Sequence, residues 1–303
     1  MDLSLTNNSL PAFSALDNPV RLEIINLLSK SKMNVKEIAE AVNLSSTMTL
    51  MHLNKLEDAH IIRSEKQGTQ RICILTVDNI TIHFPQQLYF PYEKYQFNIP
   101  IGQYTNYQVK PTCGLAGQND FIGKVDNPKY FMNPERTNAG MLWFSEGFVE
   151  YTVPNYLTRD QQIKMIEFTV ELSSEFPFSN NNWLSDISMY LAGKKLGTWT
   201  SLGDFSDVRG NYTPEWVYND MNQYGLLKTI RISDHGTFID GHHFSDVTIS
   251  DINTKQENWS LRFSVPKNAT HCGGCTIFGK HFGNYNQDID FCTYYQEKEP
   301  LPQ

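Results

Sequence analysis

A chain of 303 residues with 19% charged and 13% aromatic residues is long enough for two domains, each with a core, and is neither a disordered nor a coiled-coil composition. The net charge of −8 is uneven: residues 1–77 carry 8 Lys+Arg and 8 Asp+Glu, so the acidic excess falls wholly on residues 78–303, which argues against that part lying along a phosphate backbone. Five cysteines are too few, and odd in number, for a disulfide scaffold; with no bilayer-length apolar run and no signal-peptide pattern in MDLSLTNNSLPAF, a cytoplasmic protein with reduced thiols is expected.

Aromatic residues divide the chain near Thr76–Pro91. Residues 1–77 hold one, Phe13; the other 37, with all 5 Trp and all 15 Tyr, come later. In the head, Asn18 with Pro19 behind it predicts a capped helix. Leu22, Ile25 and Leu28 share one of its faces, with Ile24 and Leu27 beside it. Asn34 and Glu37 form a capping-box pair for a second helix, whose stripe is Val35, Ile38, Ala39 and Val42. Asn43-Leu44 is the turn, and Ser45 or Ser46 opens a third helix running to about Ala59. Ile61–Arg63 and Arg71–Ile74 alternate as strands around a loop, Glu65–Gln70, with Gly68 where positive φ is needed. Helix, short helix, turn, helix and hairpin make a winged helix-turn-helix.

On the third helix Met48, Thr49, Leu53 and Leu56 are expected to face the core. Ser46, Thr47, Leu50, Met51, Asn54 and Lys55 are expected outward, the two apolar side chains meeting thymine methyls and the hydroxyls meeting base edges or phosphates. Lys55, with Lys66 and Arg71 on the wing, would contact phosphates. The bland alternative packs Leu50 and Met51 against a neighbouring element or a second subunit. A head without net positive charge binds weakly alone, which favours a dimer on two half-sites.

The head resembles the ArsR (arsenic-repressor) type of bacterial regulator. "LDNPVRLEIINLL" is similar to that family's opening, and "VKEIAEAVNLSSTMTLMHLNKLEDAHII" to its turn, recognition helix and exit. The resemblance covers about residues 10–77 and implies a dimeric repressor released from operator DNA by a ligand. Two departures matter. Lys32-Met33-Asn34-Val35 stands where the family's metal sensors carry Glu-Leu-Cys-Val, so that thiolate site is missing. Thr49-Leu50-Met51-His52 stands where Val-Ser-Arg-His is usual, so an arginine that often reaches DNA is absent.

After a linker, residues 78–91, short β segments predominate: Met141–Val153, Gln162–Ser173, Ser185–Thr200 with an Ala-Gly-Lys-Lys hairpin loop, Leu226–Ser233, Val247–Ile252 and Trp259–Val265. Ten or so strands in residues 92–303 read as a jelly-roll β-sandwich. This half loosely resembles the C-terminal half of some ArsR-type regulators and carbohydrate-binding jelly rolls. Loops place aromatics beside amides, carboxylates and an arginine: Asn182, Trp183 and Asp186; Trp199, Asp204 and Arg209; and Trp216. Such groups suit the CH faces and hydroxyls of a sugar, although any single tryptophan is more often a core residue. Cys272 and Cys275 have C-x-x-C spacing, but a lone pair with two glycines favours reduced structural cysteines over zinc or a redox pair. His242-His243 would point to opposite strand faces. Glu146 and Glu150 stand roughly 13 Å apart on a strand, too far for a retaining glycosidase pair, and Asp204 with Asp207 offers no nucleophile with its base.

The expectation is therefore an α+β multidomain protein: a winged helix-turn-helix at 1–77 and an all-β jelly-roll at 92–303 for ligand sensing and dimerisation. It would act as a one-component repressor rather than an enzyme, without cofactor or metal. Its partners would be double-stranded operator DNA, a saccharide effector and a second copy of itself, and no membrane. The alternatives are a β domain that only binds protein or dimerises, and a carbohydrate-active enzyme.

Overall fold

The structure, a computed structural model, describes residues 1–68, 70–83, 91–178 and 180–298. The chain forms two compact units, Met1–Tyr89 and Phe90–Gln303. Among the described residues no helix is long and apolar enough to cross a membrane.

In the first unit, strand β1 (Asp2–Ser4) leads into helix α1 (Leu10–Leu16) and then α2 (Pro19–Leu28). Asn18 caps α2 by accepting from the amides of Val20 and Arg21. The buried stripe of α2 is Arg21, Ile24 and Leu28, whereas Leu22, expected inside, is 45% exposed. Arg21 explains the rotation. Its guanidinium donates to the carbonyls of Ala15 (2.6 Å) and Ser14 (2.7 Å), satisfying the end of α1, where orphan carbonyls and the helix dipole favour a cation.

A short strand β2 (Met33–Asn34) precedes α3 (Val35–Ala41), which begins with the Asn34–Glu37 capping box. Helix α4 (Ser46–Asp58) is capped by Ser45, whose hydroxyl accepts from the Met48 amide. Strands β3 (Ile62–Gln67) and β4 (Gln70–Leu75) then pair antiparallel, with β2 on the other edge of β4. The wing is tighter than expected: most of the Glu65–Gln70 loop is strand, and the chain reverses at Gly68, whose φ of +63° suits glycine. Strand β5 (Thr81–His83), inside the expected linker, pairs in parallel with β1; linker residues 84–90 lie outside the described residues. Ile24, Ile38, Leu53 and Leu56 are fully buried at the centre of this unit.

The second unit is all β: β6 (Glu93–Ile99), β7 (Asn106–Ala116), β8 (Met141–Pro154), β9 (Gln161–Ser173), β10 (Ser185–Leu191), β11 (Lys194–Ser201), β12 (Leu226–Ser233), β13 (Gly236–Ile239), β14 (His242–Ser245), β15 (Asn258–Val265), β16 (Cys275–Phe278) and β17 (Ile289–Glu297). One half-sheet runs β7-β8-β15-β10-β11 and the other β6-β17-β9-β12-β13-β14, all antiparallel, and short β16 pairs with both β8 and β9 to join them. At the far edge the Ser245 hydroxyl donates to the Leu196 carbonyl, so the sheet curls almost into a barrel. Alternate residues point inward, as on β15, where Trp259, Leu261, Phe263 and Val265 are buried. Phe168 of β9 meets Phe263 of β15 edge-on.

Two local readings differ from expectation. The Ala-Gly-Lys-Lys loop is a two-residue turn, Ala192 and Gly193 taking φ of 49° and 79°, as a type I′ hairpin requires. Val247–Ile252, expected as a strand, instead holds a 3-10 turn at Ile249–Asp251 capped by Thr248 and Asp251, where local side-chain hydrogen bonds displace ladder pairing.

Candidate functional site

Helix α4 is anchored on one side and open on the other. Thr49, Leu53 and Leu56 are buried, at i, i+4 and i+7, and the Thr49 hydroxyl donates to the Ser45 carbonyl (3.0 Å). Ser46, Thr47, Asn54 and Lys55 are exposed, and so is Met51, at 58%. Met48, expected in the core, is 46% exposed: it lies one position before the buried stripe and joins Met51 and Lys55 at i, i+3 and i+7. Leu50, expected outward, is half-buried. The face that α4 offers is thus a methionine pair flanked by two hydroxyls, an amide and an ammonium.

The wing is bound to this helix through Arg71. Its guanidinium donates to Asn54 Oδ1 (2.8 Å) and Ser64 Oγ (2.8 Å) and pairs with Glu57. Arg71, expected on phosphate, therefore has its charge balanced by a carboxylate of the same unit, and Asn54 is drawn into the same network. Lys66 is exposed on β3, directly opposite Arg71 in register. His52, half-buried on α4, has its pKa lowered by burial and by the nearby charges of Arg21 and Lys55, so it favours the neutral ring.

The seven loop residues expected to hold a sugar fall into separate places. Asp186 on β10 accepts from Thr200 Oγ1 (2.8 Å) and from the backbone amide of His271 (3.0 Å); Trp199 on neighbouring β11 packs against the core with Lys228 over its ring. Asn182 is exposed, and Trp183 stands edge-on to Phe176. Asp204 is fully buried and accepts the Phe176 amide; burial pushes its carboxyl up to about 7. Arg209 donates to the carbonyls of Pro214, Glu215 and Val217, and the Trp216 indole donates to the Gln118 carbonyl (2.7 Å). Several of these side chains pin local backbone, and the seven do not gather into one site: Trp183 and Asp204 both meet Phe176, Asp186 and Trp199 lie on neighbouring strands, and Arg209 and Trp216 hold a separate loop.

Other sequence candidates are also committed within the fold. Glu146 pairs with Lys110 and Glu150 with Arg262. Cys275 is buried at the start of β16 while Cys272 is exposed, and among the described residues no group of three or more His, Cys, Asp and Glu is placed to hold a metal.

Sequence reasoning missed a half-enclosed cleft of about 300 Å³ with Trp143, Phe178 and Tyr218 among its walls and Glu175, Asn222 and Thr276 among its polar groups. None of the seven expected ligand residues lines it. The one local signal was "SSEFPF", Ser173 to Phe178, where a carboxylate sits between a strand end and two phenylalanines.

A capped helix, α4, braced by a wing defines the first unit as a winged helix-turn-helix. Residues 18–64 match the family described as bacterial regulatory protein, arsR family. An uncharacterised HTH-type transcriptional regulator from Methanocaldococcus jannaschii is 41% identical over 51 residues, which are 17% of this chain and 54% of that protein; the chain spans about half the length of this curated relative. Among solved structures, NolR from Sinorhizobium fredii is 29% identical over 23% of this chain and 69% of its own, with a TM-score of 0.22. A second, an ArsR family transcriptional regulator, is 30% identical over 23% of this chain and 76% of its own, also with a TM-score of 0.22. The N-terminal unit is an ArsR-family winged helix-turn-helix domain.

Proposed function

We propose that this protein is a DNA-binding transcriptional regulator acting as a repressor, and that a small molecule taken up by the β unit sets its operator affinity. The observation that supports this most directly is the open face of α4: Ser46, Thr47, Met48, Met51 and Lys55 stand exposed on a helix whose opposite side is locked into the core. In a major groove the methionines meet thymine methyls, the hydroxyls reach base edges or phosphates, and Lys55 and Lys66 contact phosphates. With Arg71 balanced by Glu57, few free cations remain per head, which favours a homodimer on a two-fold operator. A cytoplasmic location goes with this reading.

The β unit, two facing half-sheets around one core and in our reading of the jelly-roll type, would be the sensor. Effector binding changes operator affinity only through its differential affinity for the two DNA-binding states. A saccharide is the effector class that the loop composition suggested, but the side chains behind that suggestion are largely engaged in loop structure, so the effector has to be sought elsewhere on the unit.

The test is a mobility-shift titration of the full chain on the region upstream of its own gene, with unrelated DNA as competitor. Sequence-preferring retention that a folded Lys55→Glu variant loses is the expected result. Equal affinity for both DNAs, or a folded variant that binds as well as the parent, overturns the reading.

A further inference from the structure

The cleft beside β8 is built for a ligand of one charge type. Its walls are apolar and aromatic: Trp143 from β8 lies almost buried within it, while Phe178 and Tyr218, 68% and 66% exposed, stand at its sides. Large aromatic side chains left in water around a concavity are surface waiting for a partner. At about 300 Å³ the space is at the small end of the ligand-pocket range of roughly 300–1,000 Å³.

The polar part of the cleft asks for hydrogen-bond donors and positive charge. Asn222 is 5% exposed. Its amide nitrogen donates to Ser173 Oγ (2.6 Å), the Ser174 carbonyl (2.9 Å) and Thr276 Oγ1 (3.0 Å). The Ser174 carbonyl only accepts, so the amide cannot be turned over, and the Asn222 oxygen is left buried with no donor. Such a group is costly to leave unpaired. Beside it Glu175, 8% exposed, accepts from the Thr276 hydroxyl (3.2 Å). Asp126 and Asp220 add two more carboxylates to the lining, and among the described residues no lysine, arginine or histidine lines it.

We propose that this cleft binds a small organic cation, a primary ammonium carried on a compact apolar or aromatic body. The ammonium hydrogens would go to the Asn222 oxygen and the Glu175 carboxylate, and the apolar body would lie against Trp143, Phe178 and Tyr218, whose ring faces also attract cations. A sugar fits less well, since its hydroxyls need donors as well as acceptors from the site. Burial, and the neighbouring Asp204 and Asp126 carboxylates, raise the Glu175 pKa; an ammonium seated beside it acts in the opposite direction and favours the carboxylate. This names the effector of the proposed sensor and depends on that reading only for its consequence on DNA.

The experiment is calorimetric titration and thermal shift of the full chain, without DNA, using phenethylammonium and cyclohexylammonium, the neutral 2-phenylethanol, and glucose and cellobiose. Binding of the ammonium compounds at least tenfold tighter than 2-phenylethanol is expected. Glu175→Gln, which keeps the shape, should remove at least tenfold of that affinity, and Phe178→Ala, at an exposed rim, should weaken it severalfold without disturbing the core. Equal binding of the alcohol, unchanged affinity in Glu175→Gln, a shift with the sugars alone, or no response to any probe at millimolar concentration each overturn the assignment. Repeating the operator titration with a bound ammonium separates the two readings: binding without a change in DNA affinity keeps the cleft assignment and removes the sensor role.

Discussion

Arg71 on the wing strand β4 pairs with Glu57 on helix α4, and the same guanidinium reaches Asn54 on α4 and Ser64 on β3. One side chain thus fixes the angle between the hairpin and the helix offered to DNA. Both partners are partly exposed, so the pair contributes only about 1 kcal/mol to stability. Its larger effect is on charge. Glu57→Gln should release a cation beside α4, raise non-specific DNA affinity, and steepen the plot of log affinity against log salt by about 0.9. A salt titration by fluorescence anisotropy reads that slope, and an unchanged slope would show that Arg71 stays away from phosphate.

Substitutions on α4 can separate base reading from backbone holding, the two roles proposed for its exposed face. Met51→Ser should cost about 1–2 kcal/mol of operator affinity if its methylenes and thioether are buried against the groove, at about 0.8 kcal/mol per buried CH₂, and should leave the salt slope alone. Lys55→Glu should instead lower the slope by about 1 and weaken all DNA alike. Leu50 is unsuited to this test, because it is half-buried and a charged replacement would strain the fold. Circular dichroism of each variant checks that α4 is intact.

The helix starts were legible because capping is local chemistry: Asn18, Asn34 with Glu37, and Ser45 each cap the helix that their sequence position announced. The face of α2 was not legible, since nothing in "NPVRLEII" says that Arg21 would be buried against the end of α1. The β1–β5 pair joins Leu3 to Ile82, a contact with no local signal. In the β unit the long alternating strands could be read, but β7 contains Pro111, which argues against a strand, and β16 has only four residues. The cleft was least legible. Glu175, Asn222 and Thr276 lie far apart in sequence, and of the tryptophans that drew attention to the loops Trp216 pins a loop, Trp199 packs on the core from β11 and Trp183 stands against Phe176.

Glu171 is a buried carboxylate on which two loop segments converge. It is 1% exposed and accepts from the backbone amides of Gly225 (2.8 Å), Asn284 (2.8 Å) and Tyr285 (3.0 Å); a Cβ at Gly283 would come within 2.3 Å of its carboxyl oxygen. Hydrogen bonds to a charged group contribute about 1.5–3 kcal/mol each, and donors left buried carry their desolvation cost. Glu171→Ala should therefore destabilise the β unit by roughly 3 kcal/mol or more. All five tryptophans lie in this unit, so urea unfolding followed by indole fluorescence reports on it alone. A loss below 1 kcal/mol would mean that water replaces the carboxylate easily.

Asp204 makes the stability of the β unit depend on pH in the direction opposite to an ordinary salt-bridged carboxylate. In the fold its carboxyl keeps a proton up to about 7, because it is buried; unfolded, it ionises near its usual 3.8. Between those values the folded state binds more protons than the unfolded one, so stability is fully present below pH 4 and declines as pH rises toward 7. Glu175, also raised by burial, adds to the decline. In Asp204→Asn the amide oxygen still accepts the Phe176 amide, and the group no longer titrates. The urea midpoint of the parent should therefore fall between pH 5 and pH 7, while that of Asp204→Asn should fall less. Parallel profiles would mean that Asp204 ionises in the fold as readily as it does in the unfolded chain.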